Sequence, residues 1–235
     1  MAGHSVDTLQ SDYKALVLGA SGGIGSAFIQ ALEADPACGS VTGISRRRDG
    51  LDITDENSIA AATKNLSGEK FDLVLVATGA LHIDGVGPEK SVRAVEADAM
   101  MKQFAVNAVG PAMVLKHFLP LVPKDRRAIF ACLSARVGSI GDNHIGGWMS
   151  YRTAKAGLNQ VIRTSSIEAK RKYPELSLVA LHPGTVATPL SEPFAAGNRR
   201  VEAAQAAADM LRALNGVANG RTGIFLAYDG SEIEW

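Results

Sequence analysis

Short apolar runs that alternate with helical segments constrain this chain more than any other feature. The runs fall at 15–18, 41–45, 71–77, 128–133, 176–181 and 223–228. Most are continuously apolar. A strand wetted on one face alternates, whereas a strand covered on both faces does not. Between them, 24–34 carries Ile24, Phe28, Ile29 and Leu32 on one helical stripe and is stopped by Asp35-Pro36. Thr54-Asp55-Glu56 reads as a helix start with Thr54 as N-cap. Residues 95–121 have helical spacing, with a break expected around Asn107 and Pro111. Segments 151–173 and 201–214 complete the helices. This order predicts an α/β protein, a doubly wound parallel sheet with helices on both faces and ligands at the carboxyl ends of its strands. No linker, repeat or low-complexity stretch divides it. The expectation is one domain over 13–235 behind a flexible N-terminal tail, 1–12.

Lys+Arg and Asp+Glu both number 24. That balance gives no electrostatic reason to expect nucleic acid or an anionic membrane as partner. Two cysteines, Cys38 and Cys132, and five scattered histidines offer no disulfide framework and no metal-ligand spacing. The first 14 residues are polar, and no apolar run approaches the length of a membrane span. A cytoplasmic protein with reduced thiols is expected.

The first strand runs into Gly19-Ala-Ser-Gly-Gly-Ile-Gly25, which opens a helix. Glycines there permit a tight turn and close approach of a pyrophosphate to the helix N-terminus. Gly19, Ser21, Gly23, Ile24 and Gly25 are the candidate phosphate-loop positions. The spacing is G-x-x-x-G-x-G, and taken alone it also fits a turn of small residues. After the second strand come Ser45, Arg46, Arg47 and Arg48 where a site for NAD would place an acid. Guanidinium groups suit a 2′-phosphate and point to NADP(H), the alternative being a solvated turn. Asp52 and Ile53 would flank the adenine, and Gly79 would let the chain pass the cofactor.

Tyr151 and Lys155 lie one helical turn apart and share a face. The ammonium is expected to lower the phenol's pKa, so that Tyr151 exchanges a proton with a substrate oxygen while Lys155 also holds the nicotinamide ribose. Trp148 and Met149 either line the cleft or pack. Residues 141–147 would form a loop over the substrate, and 190–200 a short lid. Trp235 would pack at a subunit interface.

These motifs, with Asn107 in Val-Asn-Ala-Val-Gly110 and Pro183-Gly184 with Thr188, resemble the short-chain dehydrogenase/reductase family over nearly the whole chain. The stretches 136–140 and 146–152 are similar to its C-factor-like branch of small carbonyl reductases. The resemblance implies a Rossmann sheet of about seven strands. It implies an NADP(H)-dependent oxidoreductase interconverting a carbonyl and an alcohol on a small molecule, or alternatively an NADP(H)-binding sensor with vestigial catalysis. A homodimer or homotetramer is also implied. So are roles for Asn107 in bending its helix and holding a water near Lys155, and for Pro183, Gly184, Val186 and Thr188 around the nicotinamide. A catalytic serine would polarise the carbonyl. Here the family's position falls on Ala135, and the adjacent Ser134 is taken as the candidate. The family's Asn-Asn-Ala-Gly appears as Val76-Ala-Thr-Gly79.

Overall fold

The computed structural model describes residues 6–188 and 200–235. Six parallel strands form one sheet in the order β2-β1-β3-β4-β5-β6. They are β1 (Tyr13–Leu18), β2 (Cys38–Ile44), β3 (Leu73–Val76), β4 (Ala128–Leu133), β5 (Leu176–His182) and β6 (Ile224–Ala227). One row crosses the sheet through Gly43, Val17, Leu75, Ala131, Val179 and Ile224. Alternate residues serve opposite faces. Leu16, Leu18, Val74, Val76, Phe130 and Leu178 enter one core layer, and Ala15, Val17, Leu73, Leu75, Ile129 and Val179 enter the other. Both faces are dry, which is why the strand sequences are unbroken apolar runs.

The helices are α1 (Gly23–Glu33), α2 (Arg46–Asp49), α3 (Glu56–Asn65), α4 (Ala97–Phe104), α5 (Gly110–Phe118), α6 (Met149–Ala169) and α7 (Ala203–Asn215). Helix α1 packs on α7, while α3 packs on α5 and α4 on α6. Between α4 and α5 the backbone widens into a π turn, Ala105–Val109. Pro111 has no N–H to offer the carbonyl of Asn107, so a regular turn could not close there.

Four expectations are corrected. The sheet has six strands, not seven. Only residues 45–50 lie between Ile44 and Leu51, and α2 fills them. No further strand pairs with β2 among the described residues, so β2 is the edge. The cap of α3 is Asp55, whose carboxylate accepts the Asn57 N–H at 2.9 Å. Thr54 instead donates to Asp52 at 2.6 Å. Among the described residues, one helical run, Ala97–Leu121, is long and apolar enough to cross a membrane by length and composition. It packs within the fold through α4 against α6 and α5 against α3.

The N-terminal segment is docked, not loose, from residue 6 onward. Val6 and Leu9 are buried. The Asp35 carboxylate accepts the Val6 N–H at 3.0 Å, the Tyr13 hydroxyl at 2.8 Å and the Ala37 N–H at 2.9 Å. Asp35→Ala is therefore expected to cost about 1–3 kcal/mol, because buried donors lose their acceptor. Urea denaturation checks this, and an unchanged midpoint would remove Asp35 as the anchor.

Candidate active site

The chain reverses direction across the sheet between β1 and β3, opening a crevice at their carboxyl ends. The glycine loop spans it. Gly19 and Ala20 donate their N–H groups to the Ile44 carbonyl at 2.8 and 3.1 Å, tying the loop to the end of β2. Gly19 has φ of +89°, and a β-carbon there would lie 2.9 Å from the Ala77 backbone. A β-carbon on buried Gly25 would overlap the Gly19 carbonyl. Only glycine lets α1 start this close to β1 and β3. No side chain caps the N-terminus of α1, so its first amides point at the crevice as an anion would require.

A cavity of about 600 Å³ runs outward from this loop. Its lining brings together Gly19, Ser21, Ser45, Arg46, Arg47, Asp52, Ile53 and Gly79, eight of the predicted positions. Arg48 is spent elsewhere, on the Gly43 carbonyl and Asp49. The Asp52 carboxyl sits below the usual range, held there by the Thr54 hydroxyl and N–H, with Arg46 adding to it. Ile24 packs its side chain against the α1/α7 core layer, leaving only backbone toward the loop. Gly23 faces Thr188, whose methyl would lie 2.7 Å from an added β-carbon.

At the inner end three groups converge. A β-carbon on Gly79 would lie 3.1 Å from Asn107 Oδ1 and 3.5 Å from Lys155 Nζ. Lys155 is buried and donates to the Leu133 carbonyl at 2.9 Å. Burial pulls its pKa down to about 8. Asn107 is fully buried in the π turn. Its amide clamps the chain beyond Gly79, accepting the Ala80 N–H at 3.2 Å and donating to the Ala80 carbonyl at 2.8 Å and to Gln103 at 2.7 Å. Tyr151 is half-buried on the same face of α6, with Lys155 Nζ 5.7 Å from its ring centroid. The expected lowering of its pKa is absent in this structure: burial pushes it up. The ammonium is too far away, and too committed to Leu133, to offset desolvation.

Ser134 is not brought to this site. Its side chain is 4% exposed and donates to Asn159 Oδ1 at 2.6 Å, behind the strand end. Neighbouring strand residues face opposite ways, and Ser134 follows the alternation inward. Ala135 has no hydroxyl, so neither position offers the carbonyl a donor. Val186 also turns inward: its side chain is buried beside α7 while its backbone pairs with Val201. Pro183 and Gly184 follow β5, with Gly184 at φ +75° against the Tyr228 ring. The proposed lid lies outside the described residues except for Arg200. Residues 141–147 form an exposed loop whose Gly141 N–H donates to the Trp235 carbonyl. Trp235 stacks on Phe225 within the chain, at 5.6 Å between ring centroids.

His82 also lines the cavity, as do Thr78 and Val106, which sequence reasoning missed. The Thr78 hydroxyl is buried without a hydrogen-bond partner. An orphaned polar atom beside glycine cradles and two arginines fits a polar, phosphate-bearing ligand such as a dinucleotide. Position 78, just before a candidate cofactor glycine, was the available signal.

Comparison with known proteins places these features in a family. The model of the family described as enoyl-(acyl carrier protein) reductase matches residues 40–233. A 1-hydroxy-2-glutathionyl-2-methyl-3-butene dehydrogenase of Rhodococcus is 30% identical over 188 residues, covering 79% of each chain. The C-signal protein of Myxococcus xanthus is 34% identical over 137 residues, 58% of this chain and 78% of that one. A short-chain dehydrogenase/reductase from Burkholderia multivorans, solved with bound NADP, superposes with a TM-score of 0.76 at 26% identity, covering 95% of this chain and all of that one. Together with the crevice, the glycine loop and the Tyr151/Lys155 face, these matches make the chain a member of the short-chain dehydrogenase/reductase family.

Proposed function

We propose that the protein is an NADP(H)-dependent oxidoreductase that interconverts a carbonyl and an alcohol on a small molecule. The approach of Asn107 and Lys155 to Gly79, which lines the same cavity as Arg46 and Arg47, carries this reading. The adenosine 2′-phosphate would sit by the two arginines, the pyrophosphate at the start of α1, and the nicotinamide near Gly79 and Pro183-Gly184. When bound, the cofactor supplies or accepts a hydride at the substrate carbon. Tyr151 gives its phenolic proton to the carbonyl oxygen in reduction and takes it back in oxidation. Lys155 holds the ribose hydroxyls, and its charge then favours the phenolate that Tyr151 becomes. Asn107 acts through Ala80, fixing the chain past which the nicotinamide would lie. A sensor with vestigial chemistry is not favoured by the comparisons, because named dehydrogenases are among the relatives.

The test is NADPH oxidation with a panel of aldehydes, ketones and quinones, beside titrations with NADPH and NADH. The double variant Arg46→Ala/Arg47→Ala is expected to raise the Kd for NADPH by about 10–100-fold, the value of one or more charge-assisted hydrogen bonds. Its Kd for NADH should be unchanged. Equal weakening of both dinucleotides would mean that the arginines do not read the 2′-phosphate.

A further inference from the structure

Gly146, Gly147 and Trp148 take φ of +69°, +67° and +54° in succession, directly ahead of the helix that carries Tyr151. Glycine adopts left-handed backbone freely, whereas a bulky aromatic residue does not. The other non-glycine residues in that region, among those described, are Asp12 and Asp84, with short side chains that tolerate it. A tryptophan stays there only if its surroundings hold it.

Two residues do so. The Arg152 guanidinium donates to the carbonyls of Gly147 at 2.9 Å, Gly146 at 3.0 Å and Val137 at 3.3 Å. Glu89, from the loop after β3, accepts the Trp148 N–H on its backbone oxygen at 2.6 Å. Its carboxylate accepts the Ser150 N–H at 2.7 Å and hydroxyl at 2.5 Å. The outcome is an indole set edge-on to the Tyr151 ring, centroids 6.4 Å apart and planes at 70°.

We propose that Trp148 determines which substrates are accepted, as an aromatic wall on which a planar, unsaturated carbonyl compound stacks while its oxygen meets Tyr151. Arg152 and Glu89 are positioning residues for that wall. The inference rests on the oxidoreductase reading above. It also follows from Ser134 and Ala135: with no hydroxyl from either to tether the carbonyl, orientation falls to apolar contact beside the proton donor. A π-surface fixed before binding serves flat, conjugated compounds better than flexible aliphatic ones.

The test compares kcat/KM for 9,10-phenanthrenequinone and for pentanal, with NADPH, in the wild type, Trp148→Ala, Trp148→Phe and Arg152→Lys. Trp148→Ala is expected to lower the quinone-to-pentanal ratio about tenfold or more, through KM rather than kcat, and Trp148→Phe to restore most of it. Arg152→Lys, which keeps the charge but loses the planar fork, is expected to lower the ratio with the indole still present. Equal losses on both substrates in Trp148→Ala would overturn the proposal. A binding readout separates it from the reading beneath it. In Trp235→Phe the only remaining tryptophan is Trp148, and its fluorescence, corrected for quinone absorbance, should be quenched saturably. If the wild type reduces neither compound, the panel above decides the oxidoreductase reading and quenching alone decides the wall: saturable quenching supports it, and none overturns it.

Discussion

Tyr151→Phe is expected to lower kcat for carbonyl reduction by about 10²–10⁴-fold, the range over which a positioned proton donor contributes. The ring, its edge-on contact with Trp148 and its place on α6 all survive the change. Only the hydroxyl goes. NADPH affinity and thermal stability should therefore stay at wild-type values, so a fall in kcat cannot be ascribed to misfolding. The phenol's raised pKa has a direction that can be checked. The acid form persists through the neutral range, so the reduction rate should hold level there and decline only in alkali. A variant that reduces substrate within about twofold of the wild type would exclude proton donation by Tyr151, since that lies far below the contribution of a general acid.

Lys155→Met is expected to abolish turnover and yet raise stability near neutral pH. A buried ammonium with one carbonyl partner is a costly group. Its pKa of about 8, against an ordinary 10.5, corresponds to on the order of 3 kcal/mol at about 1.4 kcal/mol per pH unit. The sign follows from proton counts. Below the folded pKa the lysine is charged in both states, and the native state bears the full penalty. Between about 8 and 10.5 the unfolded chain binds the extra proton, so wild-type stability rises with pH. Above that interval both states are neutral and the penalty is gone. The advantage of Lys155→Met should thus be largest below pH 8 and shrink toward pH 10.5, less about 1 kcal/mol for the Leu133 carbonyl left without its donor. Urea titrations of both proteins across that range would show it. A variant less stable than the wild type at neutral pH would mean that the ammonium is better solvated than its burial implies.

The sheet was legible because burial on both faces leaves a mark on every strand. Residues 128–133 coincide with β4, and the other strands shift by a residue or a few at their ends. The break at Asn107 and Pro111 was legible because proline lacks an N–H, although its form, a π turn, was not. The phosphate loop and the arginine end were legible because glycine and guanidinium serve narrow purposes. What escaped was direction. Whether Ser134 faces the cleft or the interior depends on Asn159, a partner 25 positions away. The effect of Lys155 on Tyr151 depended on how dry α6 leaves them both, which spacing does not encode. Glu89 carried no sequence signal, since its importance comes from where the loop after β3 meets the start of α6.

The widened turn at Ala105–Val109 has one residue more than a regular helix needs. Wound evenly, the same residues would carry everything beyond them about 100° further round the axis. Val114, Leu115 and Phe118 would then swing out of the interior. The bulge absorbs that surplus, so the helices on either side keep their phase. This makes 105–109 the stretch of the long helix where excising one residue disturbs the scaffold least. The same excision withdraws the amide that grips Ala80.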